Sequence, residues 1–146
     1  MTDPLSLFAY GTLRAPELLA AVIGHTAPAV DAIARGHRVV YYPGRTYPAL
    51  IAARGHDAPG TLVSGLSQAD ITQLDLFEGS EYERRGIKVR VEGKLVSAEV
   101  YWPLASIAAD APSWRYEDWR ARDPAVAGTT GAAALRARLI AEGSGP

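Results

Sequence analysis

The 146-residue chain carries fifteen Lys and Arg against sixteen Asp and Glu, a formal charge of −1, so it has no net basic field to gather nucleic acid or an anionic membrane. It contains no cysteine, which removes disulfides, thiol nucleophiles and the commonest structural zinc sites. About half of its residues are apolar, enough for one compact core, and the expectation is a single domain over residues 1–146.

The opening MTDPLSLFAYG lacks the basic start and long apolar run of a signal peptide, and no later run reaches membrane-spanning length. A soluble, cytoplasmic protein with a small-molecule partner is expected, with no nucleic acid and no membrane among its partners. Leu5 to Tyr10 reads as a first strand buried on both faces, interrupted at Gly11-Thr12. Pro16-Glu17 then opens a short helix, PELLAAVI, with Gly24 suited to end it. From Ala29 to Tyr42 the β-branched and aromatic residues, broken by Gly36, predict one bent strand or two short ones. Tyr47–Ala52 and Gly60–Leu66 are predicted as two further strands.

Ser67 to Glu78 is predicted as a helix. Ser67 suits the N-cap, Asp70 completes a capping-box-like pair, and Gly79 supplies the stop. Tyr82–Val91 and Lys94–Trp102, joined at Glu92-Gly93, read as an antiparallel hairpin. After Pro103 the chain changes character. A Trp- and Arg-rich stretch around Trp114 to Arg122 precedes an alanine-rich helix from Ala132 to Ala141, both expected on the outside, and the final Gly-Ser-Gly-Pro is expected to fray.

Two places carry chemistry. The Tyr10-Gly11-Thr12-Leu13 turn, between a strand and a helix start, is able to aim backbone N–H groups at one anion, and glycine lets a ligand approach the main chain closely. It is not a nucleotide-binding phosphate loop, because no Gly-Lys-Ser or Gly-Lys-Thr follows. Taken alone, the same residues make an ordinary tight turn. The second place is Glu78, which helical phase puts on one face with Ile71 and Leu74, where a core residue belongs. A glutamate so placed should have its pKa raised by desolvation and by the negative end of the helix dipole, which makes it a useful acid and base. Periodicity alone allows the opposite: Glu78 frays outward, or pairs with Arg84 or Arg85. Asp75 lies less centrally on that face, and Glu81 and Glu83 read as solvated charges beyond the helix.

Other residues point to less. His25, His37 and His56 have no metal-ligand spacing and read as loop and surface residues. Ser64, Ser67 and Ser80 lack a nucleophile elbow. Trp114 and Trp119 are expected to pin the C-terminal segment onto the rest. Arg115, Arg120 and Arg122 read as a solvated face, and Arg14 stands beside the glycine turn, exposed or facing a substrate carboxylate. Tyr41, Tyr42 and Tyr47 fit strand packing as readily as ligand contact.

FAYGTLR at the first strand, LDLFEG at the end of the Ser67–Glu78 helix, and the following Tyr82-Glu83-Arg84 together resemble the γ-glutamylcyclotransferase-like family, which includes γ-glutamylamine cyclotransferases and avirulence-induced-gene proteins. The resemblance runs through YYPGRTYPAL to EVYWP and is weakest after Trp102. It implies an α+β fold, a small mixed β-barrel surrounded by a few helices, with residues from about 103 to 146 a less typical helical extension. It also implies a catalytic glutamate at Glu78, a γ-glutamyl site on Tyr10, Gly11, Thr12 and Leu13, and pocket aromatics at Tyr82 and Tyr101. The activity implied is conversion of a γ-glutamyl amine or peptide to 5-oxoproline and free amine, with no cofactor and no metal. The alternatives are a binding or stress-response module of the same fold that turns nothing over, and an enzyme of another acyl or amide transfer. Whether the released amine is an amino acid, a dipeptide, an isopeptide lysine or an aminoglycoside-like group is left open, as is the oligomeric state.

Overall fold

The computed structural model describes residues 5–122. The alanine-rich helix expected at Ala132–Ala141 and the Gly-Ser-Gly-Pro end lie outside the described residues. Five strands, β1 (Leu5–Ala9), β2 (Ala29–Tyr41), β3 (Pro48–Leu66), β4 (Tyr82–Val91) and β5 (Lys94–Pro103), form a closed barrel in the order β1-β3-β2-β4-β5. Closure comes where β1 runs parallel to β5, with Leu7 opposite Glu99; the other pairings are antiparallel. Three helices, α1 (Pro16–Ile23), α2 (Gln68–Glu78) and α3 (Tyr116–Arg122), complete a mixed α+β fold.

Alternation along β1 divides the core. Leu7 and Ala9 join Leu18, Val22, Ile71 and Leu74 in the layer that the helices share with the sheet. Phe8 and Tyr10 face the other way, into the barrel, with Leu50, Leu62, Val89 and Val100. Gly60 permits the closeness of β3 to β1: a Cβ there would stand 2.5 Å from the Ala9 carbonyl oxygen and 2.7 Å from the Phe8 ring.

α1 matches its expected bounds, with Pro16 in the first turn and Gly24 in the left-handed conformation at the C-cap. The hairpin β4–β5 is also as expected, in register from Tyr82 opposite Pro103 to Val91 opposite Lys94. The main difference is β3. The two strands expected at Tyr47–Ala52 and Gly60–Leu66 are one strand of 19 residues, and His56, read as a loop residue, is part of it. The polar ArgGlyHisAsp run stays in the ladder because β2 pairs with it on both sides of an irregularity. Arg35 stands opposite Asp57 and His37 opposite Ala52, so the intervening residues of β3 bulge against Gly36. The strand therefore bends without ending.

The segment after β5 is held on the outside. Arg38 donates to the Ala109 and Ala111 carbonyls and to Ser113 Oγ, and the indole of Trp114 donates to the Thr46 carbonyl. Trp114 and Trp119 are buried, as their expected anchoring role requires. Arg120 is a correction: instead of a solvated face it makes a two-pronged pair with Glu17 of α1 at 2.9 and 3.0 Å and donates to the Tyr116 hydroxyl at 2.7 Å. Helical spacing of four residues on α3 set the Tyr116 contact, whereas the proximity of α1 is tertiary.

Candidate active site

α2 positions the acid. Ser67 Oγ accepts from the Asp70 N–H at 3.1 Å while the Asp70 carboxylate accepts from the Ser67 N–H at 3.0 Å, the reciprocal box that satisfies the first turn. His25 adds a bond to Asp70 at 2.8 Å. From that fixed start, helical phase carries Ile71, Leu74, Phe77 and Glu78 into the interior, whereas Leu76 is exposed. Gly79 then stops the helix at φ 71°, ψ −157°. No neighbour lies within 4 Å of a Cβ built there, so glycine is required by the backbone angle and not by space.

Glu78 is 5% exposed, and neither carboxyl oxygen has a hydrogen-bond partner among the described residues. Fraying and pairing are thus both ruled out: Arg84 binds Asp75 at 3.1 Å and Glu99 at 3.3 Å, and Arg85 binds Glu83. Burial pushes the Glu78 carboxyl well above its ordinary value, and the charge of Asp75 adds to the effect. The expected desolvation is present, and Asp75 is a contributor that helical phase alone had set aside.

Three phenols stand around this acid. Tyr10 donates to the Tyr101 carbonyl at 2.7 Å, Tyr101 donates to the Asp75 carboxylate at 2.8 Å, and Tyr82 donates to the Pro48 carbonyl at 2.5 Å. Burial holds all three above the ordinary phenol range, and the charge of Glu78 adds to the rise in each. Tyr10, Tyr82 and Tyr101, far apart in sequence, therefore converge electrostatically on Glu78.

The glycine turn follows directly after Tyr10. Thr12–Arg14 form a 3₁₀ turn in which Arg14 N–H donates to the Gly11 carbonyl and Ala15 N–H to the Thr12 carbonyl, both at 3.1 Å. Gly11 has φ −126°, so the left-handed region is not what requires it. Thr12 and Leu13 are each 1% exposed. A cavity of about 530 Å³ lies beside this turn, with Tyr10 and Arg14 in its wall. Glu78 is not in that wall. Tyr10 is in that wall and is also within electrostatic reach of Glu78.

A model of the AIG2-like γ-glutamyl cyclotransferases matches residues 7–121, which include the glycine turn, all of α2 and the hairpin. The chain belongs to the AIG2-like γ-glutamyl cyclotransferase family. Two Arabidopsis thaliana relatives are Protein AIG2 C, 29% identical over 82% of this chain and 75% of that one, and AIG2-like protein C, 27% identical over 80% and 70%. The fold is shared with an Arabidopsis thaliana protein solved in solution (TM-score 0.71, 23% identity, 95% of this chain and 84% of that one). It is also shared with a solved γ-glutamyl cyclotransferase (TM-score 0.62, 17% identity, 69% and 67%). Within this AIG2-like barrel, the sequence reading missed the setting of Glu81. Instead of a solvated charge, Glu81 accepts from the Tyr47 hydroxyl and from Arg45 at 3.3 Å, and its side chain is 31% exposed. The 3₁₀ turn Gly79–Glu81 folds it back against β3; YYPGRTY had supplied the aromatic and basic partners, but nothing in sequence brought them to Glu81. Glu83, by contrast, keeps a side chain that is 43% exposed, in line with a solvated charge, and pairs with Arg85, which the sequence reading had considered only as a partner of Glu78.

Proposed function

We propose that this protein is a γ-glutamylcyclotransferase-type enzyme that turns a γ-glutamyl amine or peptide into 5-oxoproline and a free amine. The observation that carries this reading is Glu78, a carboxyl buried at a helix end with no hydrogen-bond partner among the described residues. An isolated buried carboxyl is costly to keep, and a raised pKa is what a proton shuttle needs near neutral pH.

The substrate's α-amine nitrogen attacks its own γ-carbonyl carbon and closes a five-membered ring, and the bond from that carbon to the departing nitrogen breaks. Glu78 as carboxylate takes a proton from the α-ammonium and delivers it to the departing nitrogen. The second proton, which the attacking nitrogen sheds on becoming the lactam N–H, follows the same route, so the amine leaves as an ammonium. The balance needs no water, oxidant or enzyme nucleophile. Holding amine and carbonyl at attack distance supplies an advantage on the order of 7 kcal/mol or more in favourable intramolecular cases. The turn amides over Gly11–Leu13 serve as anion donors for the γ-glutamyl group, and Tyr82 and Tyr101 wall the site and exclude water. Because Glu78 is not in the cavity wall, substrate reaches it by a rearrangement in which the wall residue Tyr10 moves. The cytoplasm is the proposed setting, and a small molecule the proposed partner.

The test is product formation. Purified protein should release 5-oxoproline and amine from γ-glutamyl amides in equal amounts, and Glu78→Gln should keep the fold while turnover falls about 100-fold or more, the usual general-base contribution. Full activity in that variant would end the proposal. The separation of Glu78 from the cavity favours a second reading, a module that binds γ-glutamyl compounds in the cavity and turns nothing over; binding without any 5-oxoproline would establish it.

A further inference from the structure

The cavity beside the glycine turn has a feature that the cyclisation chemistry leaves unused. Its wall combines Arg14, Arg38 and Arg115 with Trp114 and Tyr116, so cations outnumber the two acids present, Asp57 and Glu117. The three arginines are not equivalent. Arg38 is engaged with the Ala109 and Ala111 carbonyls and Ser113. Arg115 is exposed and reaches Asp118 at 3.9 Å. Arg14 has a buried Nε with no hydrogen-bond partner among the described residues.

We propose that this cavity is a carboxylate subsite and that Arg14 holds the carboxylate. The guanidinium lies over the Tyr116 ring at 4.5 Å, which covers one face and leaves the edge, with its in-plane N–H donors, for a planar acceptor. Both sides of that stack are anchored. The Arg14 main-chain N–H closes the turn on the Gly11 carbonyl, which fixes the root of the side chain, and Tyr116 is held by Arg120, itself paired with Glu17. A cationic N–H with no partner among the described residues, on a guanidinium already stacked on an anchored ring, is preorganised for an anion, since part of the cost of ordering it is met in the free protein. A cavity of about 530 Å³ is within the usual range for small-molecule sites. The inference rests on the γ-glutamyl reading for its ligand: every γ-glutamyl compound carries a carboxylate on the glutamyl α-carbon, and carries a second when the released amine is an amino acid.

The experiment uses the full chain bearing Glu78→Gln, which binds without consuming substrate. It is titrated by calorimetry with γ-glutamylalanine, which has both carboxylates, and with γ-glutamylethylamide, which has only the glutamyl one. Adding Arg14→Gln should weaken γ-glutamylalanine about 10-fold or more, the loss typical of a hydrogen bond to a charged group. An equal loss for γ-glutamylethylamide assigns Arg14 to the glutamyl carboxylate, and a loss confined to γ-glutamylalanine assigns it to the carboxylate of the released amino acid. Unchanged affinity for both, with the thermal midpoint retained, overturns the subsite. A second readout does not depend on that variant folding: the Trp114 indole N–H resonance should shift on saturation while Arg14 is intact, and a stationary resonance overturns the proposal equally. Binding with no 5-oxoproline formed by the unmutated protein removes the turnover reading and leaves the subsite standing.

Discussion

Two glutamates at the same bend of the chain have opposite fates. Glu78, the last residue of α2, is almost wholly buried and has no partner among the described residues. Glu81, at the end of the following 3₁₀ turn, is more exposed and yet bound by Tyr47 and Arg45. Burial pushes the Tyr47 phenol up to about 12, with the bond to Glu81 adding to it, so Tyr47 remains a donor to the carboxylate at neutral pH. Glu81 is the kind of acid a fold keeps for structure. Glu78 gains no partner from its position among the described residues, and an acid buried without one is a perturbed group of the kind that clusters at functional sites.

The largest effect expected from breaking this contrast is on turnover: the fall of about 100-fold or more for Glu78→Gln, read as 5-oxoproline released, against little change for Glu83→Gln on the exposed side of the hairpin. The pH profile should sharpen it. A base that must be ionised gives kcat/KM an acid limb, and its midpoint should stand above the ordinary glutamate value of 4.5; a limb at that value or below would show Glu78 not to be the titrating group.

Stability should respond in the opposite sense to the usual carboxylate. Because the folded-state pKa of Glu78 is raised, the folded protein holds a proton that the unfolded chain has released once the pH passes the ordinary glutamate value. The contribution is complete below that value and lost as pH rises through the folded pKa, with a slope of up to about 1.4 kcal/mol per pH unit. Urea unfolding at pH 5 and pH 8 should therefore show Glu78→Gln gaining on the unmutated protein as pH rises. A constant difference between the two would contradict the burial of an unpaired acid.

Glu81→Gln should do the reverse, costing about 1–3 kcal/mol at neutral pH by weakening the bonds to Tyr47 and Arg45, with turnover kept within a few-fold. If its main effect falls on kcat instead, Glu81 shares the chemistry and the contrast fails. The smallest expected effect is at the other end of α2. Ser67→Ala removes the acceptor for the Asp70 N–H and should cost about 1 kcal/mol in denaturant unfolding, leaving Glu78 in place.

Much of the local structure was legible because it is decided locally. The Pro16 start and Gly24 stop of α1, the Ser67-Asp70 box of α2 and the Glu92-Gly93 turn of the hairpin depend on residues within one turn of one another. Helical phase likewise placed Glu78 inward, and the family pattern around it marked the same residue. β3 was misread because its polar middle looks like a loop until β2 pairs with it, and a ladder between segments distant in sequence leaves no local trace.

What the sequence determined by itself, then, was α1, α2 and the β4–β5 hairpin, the helix face that carries Glu78 and the family, since periodicity, caps and short motifs are properties of neighbouring residues. Tertiary structure alone decided who stands near whom: that Arg84 goes to Asp75 and leaves Glu78 bare, that Tyr47 and Arg45 reach Glu81, and that α3 lays Tyr116 on Arg14. Partner choice between charges depends on distance and solvent exclusion in three dimensions, and several candidates of equal charge in the sequence are separated only when the barrel closes.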